Sequence, residues 1–212
     1  MKNITLLALD TSTEACSVAL WHKGEKTHLD ELAQRTHTKR ILPMVDELLA
    51  NSGINLKQVD VLAFGRGPGS FTGVRIGAGI AQGLAFGADL PVIAVSNLTA
   101  MAQAAFELHQ AENVAAAIDA RMNEVYFSQV KREKVLEQFS DLSAYRVGTG
   151  WAAYSQFKES RLEGSDIILP SAQYMLELAL TDYAQNKVIS ALEIEPVYLR
   201  NEVTWKKLPG RE

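Results

Sequence analysis

Val59-Asp60-Val61-Leu62-Ala63-Phe64-Gly65-Arg66-Gly67-Pro68-Gly69-Ser70-Phe71-Thr72-Gly73-Val74-Arg75-Ile76-Gly77-Ala78-Gly79-Ile80-Ala81-Gln82-Gly83-Leu84-Ala85-Phe86-Gly87 is the stretch on which the fold turns. The largely apolar run from Val59 to Phe64 reads as a buried strand. A tight glycine-rich turn follows, and residues Phe71 to Phe86 then continue with helical spacing. Gly73, Gly77, Ala81 and Ala85 fall four apart on one face, and Gly79, Gly83 and Gly87 on another. Each interior glycine costs a helix about 1 kcal/mol relative to alanine, so such a helix recovers the loss only by close packing. The expectation is a strand, a turn and a helix pressed against neighbours.

Before this stretch, Ile4 to Leu9, Cys16 to Trp21 and Lys26 to Leu32 read as three strands joined by short turns, an antiparallel meander. Ile41, Leu42, Val45, Leu48 and Leu49 recur at helical spacing, and Asn51-Ser52-Gly53 stops that helix. After it, Pro91 to Val95 is a strand and Leu98 to Leu108 a helix, with Ser96 or Asn97 as its N-cap. The first half reads β-β-β-α-β-α-β-α. The second half opens the same way: Ala115 to Asp119 matches Leu6 to Asp10, and Glu124 to Val130 returns as Cys16 to Trp21 does. Arg146 to Gly150 and Asp166 to Leu169 suggest two further strands, and Ala172 to Tyr183 a final helix. A degenerate internal repeat of one α/β unit results, with domains at residues 1–110 and 111–212.

The 212 residues are 47% hydrophobic and 22% charged, an ordinary globular composition. A net charge of −4 gives no general electrostatic reason to bind nucleic acid or an anionic membrane. The single cysteine, Cys16, rules out an intramolecular disulfide and points to a reducing compartment. With no leader-like segment and no uncharged apolar run of about 18 residues, a cytoplasmic protein is expected, off the membrane.

The glycine loop fails the usual nucleotide patterns. Val74 stands where a Walker A loop needs lysine, and Ser70 and Thr72 break the dinucleotide pattern. Gly69, Ser70 and Thr72 can present amides and hydroxyls to an anion, or the loop can be a helix start that needs glycine for packing. Asp10 and Asp119 end the first strands of the two halves; they can hold magnesium across a cleft or serve only as turn residues. The four histidines are scattered, and no metal site is read from them. The segment Pro196 to Pro209 mixes aromatics with cations, which suits RNA, a protein partner or the chain's own surface.

Taken together, Leu7 to Thr13, Gly67 to Gly77, Ile118 to Arg121 and Pro196 to Arg200 resemble the TsaB (YeaZ) family over nearly the whole chain. The resemblance implies tandem actin-like, ribonuclease-H-like halves, each a mixed sheet flanked by helices. It also implies a role in making threonylcarbamoyladenosine beside the tRNA anticodon. The role it implies is non-catalytic: a catalytic paralogue, TsaD, carries an H-x-x-x-H metal pair, and Asn97 and Met101 stand at the matching positions here. Asparagine and a methionine thioether are poor ligands for such a metal. By resemblance, the first-half helices pair with TsaD, the complex recruits the ATPase TsaE and engages tRNA, and the free chain forms a homodimer. The partner face is expected at Ile41, Met44, Val45, Leu48, Gly73, Ile76, Gly77, Ile80 and Ala81. A vestigial nucleotide or anion site is expected at Asp10, Thr11, Ser12, Gly69, Ser70, Thr72 and Asp119. No catalytic residue and no metal are assigned; ATP or ADP with magnesium is left open for the assembled complex. An actin-like small-molecule kinase or ATPase using Asp10 and Asp119 is the alternative, and a peptidase a lesser one. The segment Lys131 to Tyr145 is expected to be shorter than in relatives.

Overall fold

In the computed structural model, described for residues 3–33, 35–122, 124–131, 134–136, 144–154 and 165–196, the first half forms one five-stranded sheet. Strands β1 (Leu6–Asp10), β2 (Ala15–His22) and β3 (Glu25–Leu32) make the antiparallel meander. After helix α1 (His37–Asn51), β4 (Val61–Gly65) returns parallel to β1; after α2 (Phe71–Ala88), β5 (Val92–Val95) lies parallel to β4. The order is β3-β2-β1-β4-β5, followed by α3 (Asn97–His109).

Strand β1 is buried along its whole length because both sheet faces are covered. Leu7 and Leu9 point into a core shared with α1 and α2. Leu6 and Ala8, one residue out of phase, point into a second core on the opposite face. Helix α1 buries His37, Ile41, Met44, Val45, Leu48 and Leu49, the i, i+3, i+4 stripe that its sequence spells out.

The second half repeats the plan. Strands β6 (Asn113–Arg121), β7 (Glu124–Lys131) and β8 (Lys134–Leu136) are antiparallel neighbours, and β9 (Tyr145–Val147) lies parallel to β6. Their order, β8-β7-β6-β9, is that of β3-β2-β1-β4. The molecule is thus an α/β protein of tandem ribonuclease-H-like halves, the arrangement of the actin-like ATPase superfamily.

Asp166 to Leu169 does not form the strand expected of it. Ser165 N donates to Arg146 O (2.8 Å), and Gly148 N donates to Ile167 O (2.8 Å). A parallel ladder would return the second bond to residue 165, so the segment follows β9 two residues out of step. A turn of helix, α4 (Gly150–Ala153), comes after β9, and Tyr154 caps it. The last α-helix among the described residues, α5 (Met175–Ala184), does not stay with the second sheet. Its Met175, Leu176, Ala179 and Leu180 pack on Leu6, Ala8, Val61, Ala63 and Ile93 of the first. Helix α3 turns Met101, Ala102 and Ala105 toward β6 and Ala100 toward the first sheet.

Candidate functional site

The end of β1 and the glycine loop meet without a gap. A Cβ on Gly69 would fall on the Ser12 carbonyl oxygen, and one on Gly73 on the Thr11 carbonyl oxygen, so only glycine allows this approach. The polar groups of the contact are engaged with one another. Ser70 N donates to Ser12 O (2.7 Å), and Thr11 Oγ1 donates to Gly73 O (2.7 Å). Ser70 is the N-cap of α2, its Oγ accepting from Gly73 N (3.0 Å). The Ser70 and Gly73 amides at the helix start are thus taken up by the chain's own backbone and cap, while Phe71 and Thr72 are exposed.

Asp10 lies at the centre, fully buried. Its Oδ1 accepts from Asn97 Nδ2 (2.9 Å) and its Oδ2 from Ser12 Oγ (3.1 Å). Asn97 also donates to Ser12 Oγ (2.6 Å), and its Oδ1 accepts from Gly67 N (2.7 Å). One buried asparagine therefore ties β1, the glycine loop and the start of α3 together. Burial pushes the Asp10 carboxyl up to about 7, against the pull of the hydrogen bonds from Asn97 and Ser12.

Asp119 sits on the second sheet with partners of its own. Tyr154 Oη donates to its Oδ1 (2.7 Å), Arg121 N also donates to Oδ1 (2.8 Å), and Arg121 Nη1 lies 3.2 Å from Oδ2. The seven residues expected at a nucleotide site thus separate into a knot of Asp10, Thr11, Ser12, Gly69 and Ser70, an exposed Thr72, and Asp119 in a different network. The Asp10 oxygens are buried and accept from Asn97 and Ser12, so in this arrangement they offer no ligand to a magnesium–nucleotide. Among the described residues, no three His, Cys, Asp or Glu side chains are grouped to hold a metal ion. Met101 is fully buried between α3 and β6.

Of the expected partner face, Ile41, Met44, Val45, Leu48, Gly73, Gly77 and Ala81 are buried within the chain itself. The first four and Ala81 belong to the core beneath α1 and α2, while Gly73 and Gly77 abut Thr11. They present no surface; Ile76 and Ile80 are half-buried at its margin. The exposed side of α2 carries Phe71 (55% exposed), Arg75, Gly79, Gly83 and Phe86 (72% exposed). A Cβ on Gly79 or Gly83 would meet nothing within 4 Å. Two site features escape the sequence reading: Asn97 as a hydrogen-bonding hub and Tyr154 as the clamp on Asp119. No local motif marks either. The Phe71 and Phe86 positions were visible on the same helical side as Gly79 and Gly83. The segment Pro196 to Pro209 is outside the described residues beyond Pro196 itself.

Residues 28–163 match the family model described as TsaD, tRNA N6-adenosine threonylcarbamoyltransferase. A Haemophilus influenzae protein, the tRNA threonylcarbamoyladenosine biosynthesis protein TsaB, is 72% identical, with all of both chains covered. The chain belongs to the TsaB (YeaZ) family. The Escherichia coli TsaB is 49% identical over 98% of this chain and 99% of its own. The solved structure of YeaZ from Pseudomonas aeruginosa aligns at a TM-score of 0.81 and 43% identity, over 92% of this chain and 100% of that one. The alignment with the Haemophilus TsaB runs over 236 positions against 212 residues here, so that relative has residues without a counterpart in this chain. No helix among the described residues is long and apolar enough to cross a membrane.

Proposed function

We propose that this chain acts in the biosynthesis of threonylcarbamoyladenosine in tRNA as a non-catalytic subunit in the cytoplasm. In this reading it pairs with the catalytic paralogue TsaD, helps to recruit the ATPase TsaE, meets tRNA only through the complex, and self-associates when alone. The observation that carries the non-catalytic part is the buried Asp10–Asn97–Ser12 knot. It takes up the carboxylate, and with the Gly67 amide one donor of the loop, that an actin-type nucleotide site would use. The names of the full-length relatives support the pathway, and the match to the threonylcarbamoyltransferase model supports pairing between like folds.

We place the partner-binding face on the outer side of α2, at Phe71, Arg75, Ile76, Gly79, Ile80, Gly83 and Phe86, rather than on the residues that line the core. Exposed glycines let a second helix approach closely, and the flanking aromatics supply apolar area. Purified TsaD, TsaE and the threonylcarbamoyl-adenylate synthase should modify tRNA with this chain present and not without it. Equal modification in its absence would sink the proposal. Magnesium–nucleotide turnover by the isolated chain, lost in Asp10→Asn, would favour the kinase alternative instead.

A further inference from the structure

Phe71, Arg75, Gly79, Gln82 and Phe86 are all exposed and recur at i, i+4, i+8, i+11 and i+15, so they line one flank of α2. Within that stripe the Arg75 guanidinium lies over the Phe71 ring, 3.4 Å from its centroid. A later part of the chain already holds the stripe at Gln82. Ile189 pairs with Val92, just past the end of α2, and Gln82 Nε2 donates to Ala191 O (3.0 Å). From Ile189 to Ala191 the chain therefore travels along α2 from its C-terminal end towards its N-terminal end. Ala191 and Ile194 are buried in the core beneath the helix. The turn Ala191–Glu193 is fixed by Glu193 Oε2, which accepts from Ser190 N (2.8 Å) and Ser190 Oγ (2.7 Å).

Gln82 and Phe71 lie about 16 Å apart along the helix axis, a span that about five extended residues cross. The sequence that follows Pro196, Val197-Tyr198-Leu199-Arg200-Asn201-Glu202-Val203, is long enough. As an extended strand it would carry Val197, Leu199 and Val203 on one side and Tyr198, Arg200 and Glu202 on the other. We propose that residues 197–203 seat, within the same chain, along the Phe71–Arg75–Gly79 flank of α2 and form one wall of its partner-binding face. Val197 and Leu199 cover Phe71 and the outer side of Gly79, where a Cβ would meet nothing within 4 Å. Tyr198 and Arg200 then turn to the partner, and both residue types are enriched in protein–protein interfaces. A second copy of the chain would bring such a strand from solution, whereas this one is tethered a few residues from its seat. The inference rests on the reading that the outer side of α2 is the docking face, and it adds a second segment to that face.

The test joins introduced cysteines with a short bis-maleimide in the full chain. The native Cys16 is buried and its thiol is pushed up to about 12, so it stays silent. Gly79→Cys/Tyr198→Cys should cross-link within one chain at least tenfold faster than Glu177→Cys/Tyr198→Cys, since Glu177 is exposed on α5, on the opposite face of the first sheet. Leu199→Ser should slow the first cross-link about tenfold and, in the otherwise native chain, weaken TsaD binding by a similar factor. Equal rates for the two pairs would overturn the proposal. Cross-links found only between chains would overturn it as well and assign the flank to a second copy. Unchanged or tighter TsaD binding by Leu199→Ser would show that the segment is no wall of the docking face. If the native chain does not bind TsaD, the proposed function falls and the wall with it; the cross-link, read on the isolated chain, still reports the seat, so the two failures are told apart.

Discussion

A carboxylate with no water around it is costly, and at Asp10 that cost is visible in a carboxyl pushed up to about 7. The raised value means that the folded state holds a proton that the unfolded chain, near 3.8, releases earlier. The Asp10 contribution therefore favours folding below about pH 4, weakens as pH rises, and is fully lost above about 7. Asp10→Asn keeps an acceptor for Asn97 and removes the charge. Its stability advantage over the wild type should already reach about a third of its full size at pH 5 and grow to the order of a few kcal/mol at pH 8. Urea denaturation at the two pH values checks this, and a difference that does not change with pH would show that Asp10 reaches solvent. Nearby Cys16 is pushed up to about 12, first by burial and then by Glu31, so its thiol is inert at neutral pH.

At the scale of the element, α2 has two small-residue faces that differ in what lies over them. Gly73→Leu would drive a side chain into the Thr11 carbonyl and should cost about 3 kcal/mol or more. Gly83→Leu meets open space and should stabilise the helix by about 0.5–1 kcal/mol, while lowering affinity for TsaD at least tenfold. Thermal melts and binding titrations on both variants separate folding from docking; tight partner binding by Gly83→Leu would remove α2 as the docking face. The sequence shows both faces, since spacing alone sets them four residues apart. It does not show which face is inside, because that depends on the Thr11–Ser12 backbone, some sixty residues earlier. Helix α1 has the same ambiguity. The stripe Ile41, Met44, Val45 and Leu48 has the composition of a core face and of an interface alike, and only packing decides between them. The meander was legible from its short turns, and the repeat of the unit from the strand-Asp-turn-strand pattern in both halves. The knot around Asp10 was not, since Asn97 comes from a distant element and a lone asparagine carries no pattern.

Over the whole molecule, the sequence repeat and the packing units do not coincide. The change of sheet falls between α3 and β6, near residue 110, yet α5 crosses back to cover the face of the first sheet that α1 and α2 leave open. Leu176 and Met175 are fully buried there against Leu6, Val61 and Ile93. A first half without α5 would leave that apolar face in water, so residues 1–110 alone should not fold to a stable sheet. Leu176→Ala in the intact chain leaves a cavity between α5 and β1/β4 and should cost about 2–5 kcal/mol. The distinguishing readout is where the loss appears. Amide exchange should accelerate in β1 and β4, more than a hundred residues from the substitution, along with α5 itself. Faster exchange confined to residues 165–196 would mean that α5 is an independent cover and that the halves divide by sequence after all. Shared loss of protection would mean that the first sheet, and with it the placement of α2, depends on α5.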